Sequence, residues 1–332
     1  MKAAYILETG PAEAIQFGDL PVPEPGPTQV LVKVGAVAVN PIDTYIRSGS
    51  VSIPLEFPYI IGSDLAGTVE KCGSAVSLLT LGDRVWGSNQ GLVGGQGTFA
   101  EYAAVDEKWL YPTPSDESDA EAVAGAMVGI TAHLGLFLNA KLKGGETVFV
   151  NGGTGGVGGS VVQLAKSVGA RVVATVGSKE KKTLCESWGA DLVLDYHNHA
   201  LDDDVRNFAK KTGGVNVWFE TLRQPTPERT VDLMAKRGRI ILVAGRNARP
   251  TFPVGPFYVK DLRLLGFAMF NASPEEQQEC AKTISVLYEN GAWRPNIGRR
   301  FALSEAAAAH RLQEENTLGS VGTLCGKIVL EP

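Results

Sequence analysis

A run of glycines between a predicted strand and a predicted helix is the feature of this sequence that most directly suggests chemistry. Gly153, Gly155 and Gly158 fit the pattern G-x-G-x-x-G, directly after the apolar run 147–151. In such a corner the first glycine makes a tight turn, the second lets the backbone approach a pyrophosphate, and the third allows close packing of helix on strand. The diphosphate then accepts hydrogen bonds from the helix N-terminus. The motif predicts a nicotinamide dinucleotide site and, with it, an oxidoreductase.

The end of the next predicted strand, Arg171–Val176, bears on which dinucleotide binds. A site specific for NAD carries Asp or Glu about 20 residues after the glycines, where it holds the ribose hydroxyls. This chain has Gly177 and Ser178 there, followed by Lys181, whose cation suits a 2′-phosphate, and we expect no carboxylate to repel that phosphate. The sequence favours NADP(H). The alternative, that these lysines are an exposed helix face, stays open and is the better interpretation for Lys182.

The elements that must position the glycine corner alternate between strand and helix. Strands are predicted at 147–151, 171–176, 192–195, 217–220 and 239–243, and helices at 157–168 and 179–188. This alternation is typical of a doubly wound α/β domain, in which helices cover both faces of a parallel sheet. We predict this Rossmann domain at 123–265.

The flanking sequence has a different pattern. Short strands are predicted at 30–39, 66–72 and 97–105, the proline-rich segment 21–27 reads as an extended loop, and a helical pattern covers 116–139. Two later helices, at 274–290 and 304–315, precede a closing strand at 326–330 that should complete a sheet in this first region. We therefore predict a β-rich catalytic domain at 1–122 and 266–332, into which the dinucleotide domain is inserted.

Composition narrows the partners of the protein. The chain has 332 residues, 44% hydrophobic and 20% charged, with a formal net charge of -5, so it has no general attraction to nucleic acid or anionic membranes. We see neither an export signal nor an apolar run long enough to span a membrane. The four cysteines lie far apart, as expected for reduced thiols. We expect a cytoplasmic protein with no membrane partner and no nucleic acid as main partner.

Several segments together resemble one family. They are residues 40–49 (NPIDTYIRSG), 58–67 (PYIIGSDLAG), 82–85 (GDRV), 97–102 (GTFAEY) and 326–329 (GKIV). With the glycine corner they resemble the medium-chain dehydrogenase/reductase superfamily and, more narrowly, its quinone oxidoreductases of the zeta-crystallin type. The resemblance implies a GroES-like catalytic domain beside the Rossmann domain. It also implies a homodimer formed through the last strand of the Rossmann sheet, at about 261–267.

Zinc-dependent members of that superfamily need Cys, His and an acidic residue where this chain has Asn40, Ser63 and Asp64. Amide and hydroxyl groups are poor substitutes for thiolate and imidazole as zinc ligands, so we expect no metal site. Without a Lewis acid, hydride transfer favours an acceptor that spreads negative charge through conjugation. This predicts NADPH-dependent reduction of quinones. The alternatives are an enoyl or enone reductase and, from another class, a cofactor-binding structural or RNA-binding protein of the crystallin lineage.

The resemblance also implies roles for individual residues. Asn40, Asp43, Tyr45, Ser63 and Asp64 are expected to face the nicotinamide. Tyr45 is the candidate proton donor or, equally, an aromatic ring that orients the cofactor. Some relatives bind the 2′-phosphate with an arginine near the C-terminus, where this chain has only Lys327. The remaining implied cofactor contacts are Thr131, Thr154, Gly156, Val157, Tyr196, Val243, Ala244, Gly245, Arg246, Ala268, Met269 and Phe270.

Overall fold

The computed structural model describes residues 1–92, 95–319 and 321–332. The strands are β1 (Lys2–Ile6), β2 (Gln16–Asp19), β3 (Gln29–Val39), β4 (Tyr59–Ile60), β5 (Asp64–Cys72), β6 (Arg84–Gly87), β7 (Tyr102–Asp106), β8 (Leu110–Pro112), β9 (Thr147–Val150), β10 (Arg171–Val176), β11 (Leu192–Asp195), β12 (Val215–Glu220), β13 (Met234–Leu242), β14 (Arg263–Gly266), β15 (Ile297–Ala302) and β16 (Lys327–Glu331). The α-helices are α1 (Pro41–Arg47), α2 (Asp119–His133), α3 (Gly156–Ser167), α4 (Lys179–Ser187), α5 (Leu201–Ala209), α6 (Pro227–Leu233), α7 (Val254–Val259), α8 (Pro274–Glu289) and α9 (Ala306–Thr317).

The chain forms two compact units. One comprises Met1–Met127, Ser273–Ser285 and Pro295–Pro332, and the other comprises Val128–Ala272 and Val286–Arg294. The domain limits expected from the sequence, 1–122 with 266–332 and 123–265, stay a prediction. The α/β fold class itself is confirmed, because one unit is rich in β-structure and the other is built on a parallel sheet.

The β-rich unit is organised around β3. Its main sheet has the order β15-β16-β3-β5-β6-β8, with β7 also paired to β3. Strands β2, β1 and β4 form a second, three-stranded sheet in that order. Strand β3 is rich in valine, and its last three residues, Val37, Ala38 and Val39, are fully buried. The closing strand β16 completes this sheet, as the sequence predicted, and it pairs antiparallel with β3. Because β3 ends inside the unit, Asn40, the residue that follows it, is buried there as well.

The second unit contains a six-stranded sheet with the order β11-β10-β9-β12-β13-β14, and every neighbouring pair is parallel. This is the doubly wound order, which reverses direction between β9 and β12. All four residues of β9 are buried, as expected for a central strand covered by helices on both faces. Ligands of such sheets bind beyond the carboxyl ends of the strands, next to the reversal.

Several predicted boundaries differ from those observed. The strand predicted at 97–105 is regular only in β7, because before β7 begins the Phe99 carbonyl accepts from the Ala4 N–H and the Phe99 N–H donates to the Ile61 carbonyl. Strand β5 starts earlier than predicted, since Asp64 already pairs with Ala38 of β3. The helix predicted at 116–139 begins at Asp119 and ends in a π-helical stretch, Leu134–Asn139. Helices α1, α5, α6 and α7 were not predicted.

The helical stretch Asp119–Asn139 has a membrane-spanning length and a mean hydropathy of 1.5 in its most apolar window. The expectation that no apolar stretch has the length to span a membrane was therefore wrong by length and composition. In the structure 78% of that window is buried. Packing inside the protein therefore accounts for its apolar character, as for other core helices.

Candidate active site and cofactor site

The glycine corner joins β9 to α3 through a turn at Gly152. This residue has φ +64, in the left-handed region that favours glycine. Its N–H donates to Thr175 Oγ1 at 3.1 Å, and the N–H of Gly153 donates to the Thr175 carbonyl at 2.9 Å. The structure agrees with the prediction that Gly153 makes the tight turn, because the Gly155 N–H donates to the Gly152 carbonyl at 3.0 Å across a turn with Gly153 and Thr154 at its centre.

The three motif glycines have different surroundings. A Cβ on Gly158 would lie 2.1 Å from the Gly152 carbonyl oxygen, and one on Gly153 would lie 2.7 Å from the Ala174 Cβ, so both positions are closed to larger residues by the protein itself. A Cβ on Gly155 would meet only the Gly152 oxygen, at an ordinary 3.4 Å. The space beside Gly155 is thus not filled by the protein, as a diphosphate that approaches the backbone requires.

Helix α3 begins at Gly156, directly beyond that space. Thr154 is buried and Val157 is half-buried, so the loop backbone is held against the unit. The first turn of an α-helix has no intrahelical acceptors for its N–H groups, and the helix dipole makes this end electropositive. The cradle of glycines and this helix end together fit a dinucleotide diphosphate.

The residues predicted to hold the 2′-phosphate lie together at the end of β10. Ser178 caps α4, and its hydroxyl oxygen accepts a hydrogen bond from the Lys181 N–H at 3.3 Å. A Cβ on Gly177 would lie 2.5 Å from the Tyr196 hydroxyl, so Tyr196 covers Gly177 while remaining 54% exposed. One expectation was wrong, because Glu180 supplies a carboxylate here. Hydrogen bonds from its own N–H and from Ser178 lower the pKa of Glu180.

Two other lysines have roles that the structure settles. Lys182 lies 3.9 Å from Glu186 along an exposed face of α4, which agrees with the interpretation of Lys182 as a surface residue. Lys327 stands near the C-terminus, where some relatives have an arginine for the 2′-phosphate. Its ammonium group is buried in the β-rich unit and donates to Val39 and Asn40.

A buried polar network joins β9, β10 and β12 where the strand order reverses. The Asn151 amide donates to both Glu220 carboxylate oxygens at 3.0 Å, and Asn151 Oδ1 accepts from Thr175 Oγ1 at 3.2 Å. Glu220 also accepts from the indole N–H of Trp218 at 3.1 Å and the N–H of Leu222 at 2.8 Å. Burial raises the pKa of Glu220, against these donors. The network fixes the base of the glycine corner.

Most of the remaining implied cofactor contacts follow strand ends at the same edge of the sheet. Val243, Ala244, Gly245 and Arg246 follow β13, and Gly245 has φ +85. Ala268, Met269 and Phe270 follow β14, with Met269 buried and Phe270 42% exposed. Thr131 lies instead within α2 and is buried.

In the β-rich unit, four of the five predicted catalytic residues form one buried cluster. They are Asn40, Asp43, Ser63 and Asp64, each at most 2% exposed. Asn40 caps α1, and its N–H donates to Asp43 Oδ2 at 2.7 Å. Ser63 Oγ donates to Asp43 Oδ1 at 2.5 Å. Asn40 Nδ2 donates to Asp64 Oδ2 at 2.7 Å. Two carboxylates are therefore joined through one capping asparagine.

Lys327 completes this cluster from β16. Its Nζ donates to the Val39 carbonyl and to Asn40 Oδ1, both at 2.6 Å. The Asn40 amide therefore bridges the Lys327 ammonium and the Asp64 carboxylate. The Lys327 ammonium group thus lies beside Asn40, Ser63 and Asp64, the residues at the positions of zinc ligands in zinc-dependent enzymes. Because this positive charge would repel a metal ion, the set does not suit a metal site. Within the described ranges, no group of three or more His, Cys, Asp or Glu residues is arranged to hold a metal.

Burial dominates the electrostatics of the cluster. It raises the pKa of Asp43 to about 7, helped by the nearby Asp64 charge and opposed by the Ser63 hydrogen bond and by Lys327. Burial also raises the pKa of Asp64 and lowers that of Lys327, while their mutual attraction opposes both changes. Asp43 thus has the protonation range of a general acid or base at neutral pH.

Tyr45, the fifth predicted residue, lies on α1 two residues after Asp43 and is half-buried. The structure gives its hydroxyl no hydrogen bond to any residue within 1–92, 95–319 and 321–332, so the proton-donor role and the orienting role both stay predictions.

Sequence reasoning missed Lys327 as a member of the buried cluster in the β-rich unit, and it missed the network residues Asn151, Thr175 and Glu220. Each has a signal in the sequence. Lys327 is a lone cation that opens an apolar strand, and the other three are polar residues at or just beyond the ends of apolar strands. Such ends meet at the binding edge of a parallel sheet.

Comparison with known proteins identifies both units. Residues 26–115 match the family model of the alcohol dehydrogenase GroES-like domain, and residues 156–286 match that of the zinc-binding dehydrogenases. The quinone oxidoreductase of Rattus norvegicus is 34% identical over 331 residues, covering 99% of this chain and 97% of the relative. The predicted GroES-like and Rossmann arrangement is thereby confirmed.

Two solved structures are similar over their full lengths. An NAD-dependent alcohol dehydrogenase superposes with a TM-score of 0.89 at 29% identity, with 100% of both chains covered. A mycobacterial protein complexed with NADPH superposes with a TM-score of 0.85 at 30% identity, again with 100% of both chains covered. The first of these proteins is NAD-dependent and the second is complexed with NADPH. Proteins of this fold thus differ in their dinucleotide, and the residues at the end of β10 matter for the choice of cofactor.

Proposed function

Because the chain belongs to the quinone oxidoreductase family of the medium-chain dehydrogenases and reductases, we propose that it reduces quinones with NADPH. The observation that carries this proposal is the cluster of Asn40, Ser63, Asp64 and Lys327. In place of a metal-ligand set it has an amide, a hydroxyl and one carboxylate beside a buried cation. A conjugated acceptor, which delocalises the negative charge that develops on its oxygen, suits such a site.

The second unit contributes the cofactor site. When bound, NADPH supplies a hydride, so that quinone, NADPH and one proton give quinol and NADP⁺. The N–H groups at the start of α3 bind the diphosphate, and Gly155 leaves it room. Ser178 and Lys181 recognise the 2′-phosphate, and Tyr196 covers the same end of the site. The network of Asn151 and Glu220 keeps the glycine corner rigid beneath the cofactor.

The β-rich unit contributes hydrogen bonds and a proton. Tyr45 is our candidate donor to the reduced oxygen, and Asp43, with a pKa of about 7, is the buried group able to exchange a proton near neutral pH. Tyr45→Phe tests the tyrosine, because it removes only the hydroxyl. A fall in kcat with an unchanged KM for NADPH supports proton donation, whereas a raised KM with an unchanged kcat supports the orienting role.

The proposed activity is tested by following NADPH consumption with three acceptors: a quinone, an enone and an enoyl thioester. We expect the quinone to give the highest kcat/KM. A kcat/KM for either other acceptor about tenfold above that for the quinone would make the protein an enoyl or enone reductase. Turnover of none of them, despite NADPH binding, would favour the structural or RNA-binding alternative.

The finer assignments are also proposals. We propose a homodimer through β14, because this strand lies at the edge of the sheet and four large apolar side chains nearby are 43–67% exposed: Val254, Tyr258, Val259 and Leu264. We propose a cytoplasmic protein of the zeta-crystallin type, with no membrane partner and no nucleic acid as main partner. The net charge of -5 and the free state of all four cysteines support these assignments.

A further inference from the structure

Lys327 is the least expected member of the buried catalytic cluster. It is 5% exposed and reaches the cluster from β16, 287 residues after Asn40 in the sequence. A buried ammonium group is unfavourable unless it is paired and hydrogen-bonded. Lys327 has two acceptors at 2.6 Å, the Val39 carbonyl and Asn40 Oδ1, and it attracts Asp64 and Asp43. The fold therefore retains a costly cation at this position.

The contacts of Lys327 determine how the Asn40 amide is oriented. Oδ1 accepts from Lys327, and one Nδ2 hydrogen is donated to Asp64. The flipped amide would direct its hydrogens at the Lys327 ammonium and its oxygen at the Asp64 carboxylate, and both contacts would be repulsive. Only one orientation is thus compatible with the two charges, and it leaves the second Nδ2 hydrogen as a donor.

We infer that Lys327 is a positioning residue, which fixes the Asn40 amide as a hydrogen-bond donor within the catalytic cluster and balances the Asp64 carboxylate. A fixed donor favours an acceptor oxygen that gains negative charge during the reaction. This inference rests on the proposed quinone reduction, since the donor acts on the oxygen of that acceptor.

The charge of Lys327 also acts on Asp43. The groups that face Asp43 are Ser63, Asp64 of β5, Tyr59 of β4 and Lys327 of β16. Asp64 raises the pKa of Asp43, and Lys327 lowers it. Loss of the Lys327 charge should therefore shift the titration of Asp43 to higher pH, which a residue with a merely space-filling role would not do.

The test compares Lys327→Met, which removes the charge and keeps most of the volume, with the control Lys33→Met on the exposed part of β3. For Lys327→Met we expect kcat with a quinone to fall about 10- to 100-fold while KM for NADPH changes little. We expect the Asp43 titration, followed by the NMR signal of its carboxyl carbon, to move up by about one pH unit. The control should match the wild type in both measurements.

The double variant Lys327→Met/Asp64→Asn covers the case in which the single variant does not fold, because it removes the buried charge that would be left unpaired. We expect it to melt at a higher temperature than Lys327→Met and still to show the low kcat. A kcat and an Asp43 titration equal to those of the wild type in Lys327→Met, or a wild-type kcat in the double variant, would overturn the inference. If the wild type itself reduces no quinone, the proposed function fails, whereas the NMR titration still tests the effect of Lys327.

Discussion

The contrast between Gly155 and Gly158 gives the sharpest prediction about the cofactor site. Both belong to the glycine motif, and both are replaced by alanine in the experiment. A Cβ at Gly158 would overlap the Gly152 carbonyl at 2.1 Å, whereas a Cβ at Gly155 would have no protein atom closer than 3.4 Å. Gly155 also has φ -69, which alanine adopts readily. One substitution should therefore damage the fold, and the other should damage binding alone.

The magnitudes follow from these surroundings. Gly158→Ala forces the loop and the helix apart, and such overpacking destabilises by about 1–3 kcal/mol. Gly155→Ala should change the free energy of unfolding by less than about 1 kcal/mol, the scale of a helix-cap effect. It places a methyl group where the diphosphate approaches, and we expect NADPH to bind at least about tenfold more weakly, or about 1.4 kcal/mol.

The assay measures denaturant unfolding without cofactor and NADPH binding by titration calorimetry, for wild type and both variants. If Gly155→Ala bound NADPH within about twofold of the wild-type Kd, the space beside Gly155 would not be the diphosphate site, and the reasoning from the glycine cradle would be refuted. A Gly158→Ala variant as stable as the wild type would show that the loop relaxes without loss.

Three further predictions concern other parts of the chain. Lys181→Glu should weaken NADPH far more than NADH, and Glu180→Gln should strengthen NADPH selectively, as measured by Kd; equal effects on both cofactors would refute the 2′-phosphate assignment. Burial, with help from Arg47, lowers the pKa of His310 to about 3, so the unfolded chain binds an extra proton below about pH 6.5 and stability falls as pH drops. Because the raised pKa of Asp43 acts in the opposite direction over the same range, the measured quantity is the difference from His310→Leu: between pH 7 and about pH 5 the wild type should lose about 2 kcal/mol more stability than this variant in denaturant unfolding. Leu264→Asp should convert the proposed dimer to a monomer in light scattering, and an unchanged mass would contradict an interface at β14.

Local patterns were sufficient for the parts of the fold that depend on neighbours in the sequence. Strands β10 and β11 lie where their apolar runs predicted, and the glycine corner has the predicted strand, turn and helix. The left-handed conformation of Gly152 was not predicted, because two adjacent glycines allow either to adopt it. The cluster of Asn40, Ser63 and Asp64 was anticipated through the family resemblance.

The missed features depend on contacts that no local pattern reveals. Asn151 meets Glu220 across 69 residues, and Lys327 meets Asn40 across 287, so their pairing depends on strand order. Glu180 was overlooked for a different reason. It lies in the first turn of α4, where a carboxylate interacts favourably with the helix end, and the sequence does not show that it forms a hydrogen bond with Ser178.

The pairing of β3 with β16 has a consequence for the order in which the protein becomes functional during synthesis. Residues near the start of the chain emerge from the ribosome long before the strand that carries Lys327, since Val39 and Lys327 are 288 residues apart. Domains generally fold as they are completed, at about 5–20 residues per second. For many seconds, then, the nascent β-rich domain holds Asn40 and Asp64 without their cation. We expect the dinucleotide domain to fold first and the catalytic charges to be balanced only at the last step of assembly.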